Sequence, residues 1–92
     1  MKVTIREKAD ADLDSIFSWI AQESPRAATE MVRRIRNRVH RLATPGLAYM
    51  GRIGLDPGTR ELVERPYIIV YEVHEDRQEI VVLAIFHGAQ ER

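Results

Sequence analysis

The sequence contains no cysteine, which excludes a disulfide framework and any cysteine-based metal or redox site. No apolar stretch approaches the roughly 20 residues that a membrane-spanning helix needs. The opening residues carry no signal-peptide pattern, because a short strand-like alternation is followed at once by charged residues; the expectation is a cytoplasmic protein that does not touch membranes. There is no excess charge of either sign, since 14 Lys+Arg balance 14 Asp+Glu, and neutrality argues against a dedicated nucleic-acid binder. The chain has no G-x-S-x-G elbow, no H-E-x-x-H pair and no G-x-x-x-x-G-K-[ST] cradle. No metal site and no cofactor are expected.

What is present fits one domain over residues 1–92, without repeats, linkers or low-complexity segments. A hydrophobic share of 45% is that of an ordinary globular protein. At this length the core is thin, and a stability of a few kcal/mol, or help from a partner, is expected. The charges are unevenly placed. From Pro25 to Pro45 there are six arginines against one acid, a net +5, so the remainder carries −5. A basic helix of this kind either pairs with an acidic partner or is a solvated face.

Hydrophobic periodicity sets out the elements. Lys2 to Glu7 alternates like a half-buried strand. Asp10 to Gln22 reads as a helix with Leu13, Ile16, Phe17 and Ile20 on one stripe. Ser24-Pro25 is an N-cap followed by a proline at the first helical position. Ala28, Val32, Ile35, Val39 and Leu42 then form a seam that Pro45-Gly46 ends. Residues 45 to 58 carry four glycines and read as a loop. Thr59–Glu64, Tyr67–Val73 and Glu79–Phe86 read as strands, with a corner at Arg65-Pro66 and a polar turn at 74–78. The order βααβββ predicts an α+β domain, a helical hairpin on a small, mostly antiparallel sheet.

The last two strands are apolar on both faces. Alternation puts Ile80, Val82, Ala84 and Phe86 on one side, and Val81, Leu83, Ile85 and His87 on the other. In the preceding strand Tyr67, Ile69, Tyr71 and Val73 share a side. Two helices cover one face, so the other is expected to dock a partner, unless the glycine-bearing loop folds over it. The histidines offer little chemistry: His40 reads as solvated, and His74 with Asp76 as a surface turn. His87, at a strand end before Gly88, could transfer a proton or simply be a hydrogen-bonded end residue. Metal-free RNA cleavage would need a base (Glu61 or Glu64), an acid (His87) and a cation (Arg60 or Arg65).

In this order and spacing, Gly58-Thr59-Arg60-Glu61-Leu62, Pro66-Tyr67-Ile68-Ile69-Val70-Tyr71 and His87-Gly88-Ala89 resemble the ParE/RelE superfamily, the small toxins of bacterial type II toxin–antitoxin modules. The ParE branch fits better. RelE-branch ribosome-dependent RNases carry an arginine where this chain has Ile68, and a tyrosine where it has Gly88. ParE-like tails often read His-Gly-Ala-Arg, whereas here Gln90 takes the last place, with Arg92 two further on. The resemblance implies a toxin neutralised by a cognate antitoxin and acting on DNA gyrase without being an enzyme. It implies antitoxin contacts at Arg33, Arg36, Arg41, Ile69, Tyr71 and Val82, and target contacts at His87, Gln90 and Arg92. Nucleic acid is reached only through the antitoxin. The alternative is a ribosome-dependent mRNA endonuclease using His87 and Arg60. A third reading is a toxin-like binding module without toxicity.

Overall fold

The computed structural model describes residues 1–89. Strand β1 (Lys2–Ile5) leads into helix α1 (Glu7–Ala21) and helix α2 (Pro25–Arg41), and then come strands β2 (Arg52–Ile53), β3 (Thr59–Glu64), β4 (Tyr67–His74) and β5 (Glu79–His87). The sheet order is β1-β5-β4-β3-β2. β1 runs parallel to β5, and every other pairing is antiparallel. The helical hairpin lies on one face of this sheet.

Local chemistry accounts for the helix limits. The Ser24 hydroxyl accepts the Ala27 N–H at 3.1 Å, satisfying one of the amides left over at a helix start. Arg38, His40 and Arg41 occupy the last turn of α2, where the helix dipole favours positive charge. α1 starts at Glu7, three residues before the expected Asp10. It has no side-chain cap, and its first turn carries Glu7 and Asp10.

The core is one cluster. Ala9, Leu13 and Ile16 of α1, with Ile35 and Val39 of α2 and Leu42 just beyond it, pack on Leu62, Tyr67, Ile69, Tyr71, Ile80, Val82 and Ile85 of the sheet. The expected seam of α2 is therefore the buried one, except that Val32 is only half-buried. Phe17 departs from the expected stripe: it is exposed, on the side of α1 that turns away from the sheet.

Two features were not expected. Residues 52–53 form a fifth, two-residue strand within the glycine-bearing segment. More consequential is a β-bulge. Tyr71 pairs with Val82 but Val70 with Ala84, so Leu83 is the extra residue. A bulge reverses the alternation beyond it. Ile85 therefore joins Ile80 and Val82 under the helices, while Ala84 and Phe86 turn to the opposite face. The Ile85 N–H donates to the Asp12 carboxylate of α1 at 2.9 Å, and Lys8 holds the same carboxylate. Asp12 thus ties α1 to the irregular part of β5.

The loop is pinned by Tyr71. Its hydroxyl donates to the Ala48 carbonyl and accepts the buried Gly51 N–H, both at 3.0 Å. A Cβ on Gly51 would stand 2.7 Å from that hydroxyl and 2.7 Å from the Glu61 carbonyl oxygen, so only glycine fits. Tyr71→Phe strands the Gly51 amide without a partner. The expected cost is about 1–3 kcal/mol, read as a lower urea midpoint at unchanged m-value; an unshifted midpoint would show that the amide finds another acceptor.

Candidate partner-binding surfaces

The face of the sheet away from the helices carries an open groove of about 370 Å³. Val70 of β4 and Leu83, Ala84 and Phe86 of β5 form its apolar floor, and Leu55 and Asp56 of the loop make one wall. Glu61 is buried at the edge and ion-paired to Arg52 at 3.1 Å. Neighbouring Ile68 and Val81 are buried on the same face. Gly88 sits over Ile68: its N–H donates to the Pro66 carbonyl at 2.8 Å, and a Cβ there would lie 3.5 Å from Ile68 Cδ1. The loop walls this groove rather than sealing it, and leaves Ile53 and Leu55 about 70% exposed.

A second groove, of about 480 Å³, runs along the outer side of the helical hairpin, with Phe17 and Val32 as its apolar base and Arg33, Arg36 and His40 around it. Arg33 pairs with Glu30 and Arg36 with Asp10. All four side chains are substantially exposed, so these pairs contribute little stability and are available for exchange with a partner's acids. Arg41 is exposed one turn beyond Asn37, at the end of α2.

The apolar residues expected at the antitoxin surface are elsewhere. Ile69, Tyr71 and Val82 are fully buried beneath the helices, because the helical hairpin covers the face onto which they project. The free face belongs instead to Val70, Ala84 and Phe86, which the bulge turns outward.

The residues considered for RNA cleavage are only partly brought together: Glu64 and His87 flank Tyr67 in the sheet register, but Arg60 does not join them. Arg60 donates to the Gly51 and Tyr49 carbonyls and lies 4.9 Å over the Tyr49 ring, so it clamps the loop. Glu64 pairs with Arg34 and Arg38 of α2. Arg65 is exposed at the corner, where its peptide bond to Pro66 is cis. Arg60 stands opposite Tyr71 and His87 opposite Tyr67, an offset of about 13 Å along β4, with a strand between them.

His87 itself is exposed on the helix side. Its ring meets Tyr67 edge-on at 5.6 Å, and its Nδ1 accepts the Ala89 N–H at 3.1 Å. Burial raises the pKa of the Tyr67 hydroxyl above its ordinary value. Beside them stands Trp19, 71% exposed. Sequence reasoning passed over it, although the chain's one tryptophan falls just outside the apolar stripe of α1. Gln90 and Arg92 lie outside the described residues. No group of three or more His, Asp or Glu side chains among the described residues could hold a metal ion, and no helix is long and apolar enough to cross a membrane.

The fold agrees with known proteins. Residues 3–92 match the model of the family described as ParE toxin of type II toxin-antitoxin system, parDE. The chain belongs to that family. It is 37% identical over 81 residues to a Sinorhizobium fredii protein described as "Putative toxin Y4kP", covering 86% of this chain and 79% of that one. The structure superposes on a chain of the chromosomal ParDE toxin–antitoxin system from P. aeruginosa with a TM-score of 0.81, at 31% identity over 95% of both chains. The isolated E. coli RelE toxin shares the fold alone, with a TM-score of 0.68 at 11% identity, over 99% of this chain and 87% of that one.

Proposed function

We infer that this ParE-family toxin is held inactive by a cognate antitoxin and that, once released, it inhibits DNA gyrase in the cytoplasm and so stalls replication. The observation that carries the antitoxin reading is the outer-sheet groove. A floor of Val70, Leu83, Ala84 and Phe86 gives up free energy to water until something apolar covers it. The antitoxin segment that suits this toxin is amphipathic and acidic, with apolar side chains for the sheet and Phe17, and carboxylates for Arg33, Arg36 and Arg41. The P. aeruginosa relative, a chain of a ParDE toxin–antitoxin system, supports a protein partner of this kind.

The toxin acts by binding, not by chemistry. A phosphodiester transferase needs base, acid and cation around one phosphate, whereas here Arg60 is committed to the loop and stands far from His87. DNA is contacted through the antitoxin. The test is a supercoiling assay with purified free chain and gyrase, in which the chain is expected to suppress supercoiling and added antitoxin to restore it. Undiminished supercoiling at micromolar toxin sinks the gyrase reading. Codon-specific breaks in translated mRNA, absent in His87→Ala, would put the endonuclease reading in its place.

A further inference from the structure

We propose that the cleft between α1 and the end of β5 binds a cationic side chain, an arginine, presented by a protein partner. The cleft holds about 390 Å³ and is lined by Ser15, Ile16, Trp19, Tyr67 and His87. Ile16 and Tyr67 are buried and form its floor. The His87 ring is fixed on two sides, by its edge-on contact with Tyr67 and by the Ala89 amide on Nδ1. Trp19 stands opposite with most of its indole in solvent, the most exposed aromatic ring among the described large hydrophobics. A ring of this size left open loses the burial that normally repays a tryptophan.

Charge decides which occupant fits. Among the described residues no lysine or arginine lines this cleft. The adjoining pocket along α1 shares Ser15 and Trp19 with it and adds Asp14, Ser18 and Gln22. Asp10 and Asp12 on the same helix are matched by Arg36 and Lys8. Asp14 is exposed and has no ion-pair partner among the described residues. Indole and phenol faces attract a cation through their quadrupoles, and a planar guanidinium also stacks on them while donating to a carboxylate at its edge. Trp19, Tyr67 and Ser15 supply the ring faces and a hydroxyl in the cleft, and Asp14 supplies the carboxylate in the pocket on the other side of Trp19. A purely apolar occupant leaves Asp14 unmatched, and an acidic one is repelled by it. The site lies on the helix side of the sheet, so it stands apart from the outer-sheet groove and does not depend on the antitoxin reading.

Trp19 is the chain's single tryptophan and reports directly on its own cleft. N-acetyl-arginine amide is titrated into the full chain while Trp19 fluorescence is followed. A saturable change is expected, at least about fivefold tighter than for the neutral isostere N-acetyl-citrulline amide, and Asp14→Asn is expected to weaken it about fivefold without moving the melting temperature. Calorimetry with Trp19→Ala, which keeps a good helix former at that position, is expected to show no binding. Equal responses to arginine and citrulline, a response that never saturates, or one indifferent to Asp14→Asn overturns the proposal. So does sedimentation showing a homodimer that Trp19→Ala dissolves, since the cleft would then belong to a second copy.

Discussion

Val82→Asp is expected to leave the chain without a cooperative fold. Val82 is fully buried in the strand that pairs with both β1 and β4, opposite Ile5 on one side and Tyr71 on the other. The core cluster around it is made of aliphatic side chains with Tyr67 and Tyr71, and no lysine or arginine among the described residues belongs to it. Burying an unpaired carboxyl costs several kcal/mol even after it takes up a proton. A domain of this size has about 5 kcal/mol to lose. Circular dichroism and proton–nitrogen NMR should show collapsed dispersion and no melting transition at neutral pH. A soluble, sharply melting variant that had merely lost its antitoxin would return Val82 to the partner surface and contradict the packing described above.

Ala84→Glu is expected to do the reverse, keeping the fold and losing the antitoxin. Ala84 lies two residues from Val82, yet the bulge at Leu83 turns it to the outer face, where it is only half-buried. A glutamate there can reach water, so stability should shift by less than about 1 kcal/mol. The same side chain would sit in the apolar floor of the groove, near Asp56 and Glu61, facing an acidic partner. A loss of about 2–4 kcal/mol, roughly 30- to 1,000-fold in Kd, is expected for the cognate antitoxin. Titration calorimetry beside a thermal melt separates the two effects. Unchanged affinity would move the antitoxin off this groove and onto the helical hairpin alone. The two substitutions form a contrast: neighbouring small apolar residues on one strand fail in opposite assays.

That contrast also shows what can be read from residues alone. The element order and the bounds of β3 follow from turn chemistry and periodicity, and Ser24-Pro25 marks the start of α2 without ambiguity. The alternation of β4 was legible too, with Tyr67, Ile69, Tyr71 and Val73 on one side, but not which side the helices take, because both faces are apolar. The facing of β5 was not. A strand apolar on both sides carries no signal for an inserted residue, since either register buries something greasy. Ala84 and Phe86 were consequently grouped with Val82, while Ile69 and Tyr71 of β4 were set on the partner side because residues alone do not say which face the helices cover. The two-residue β2 was hidden among glycines for a related reason, being too short to establish any period. Arg60 looked like a free cation because a sequence does not show that the Tyr49 and Gly51 carbonyls will claim it. Trp19 drew no notice because a lone aromatic beside a regular stripe resembles a continuation of it.

The position of β5 has a consequence for biosynthesis. Among the described residues it is the strand furthest along the chain, yet it lies inside the sheet, joined to β1 on one flank and β4 on the other. A nascent chain that stops short of residue 79 holds a first strand with nothing to pair with, a helical hairpin lacking half its bed, and a hairpin of β3 and β4 with a bare edge. No fragment of that kind can present the finished surfaces. The toxin's surfaces therefore take shape together, only once β5 has threaded home between its two neighbours.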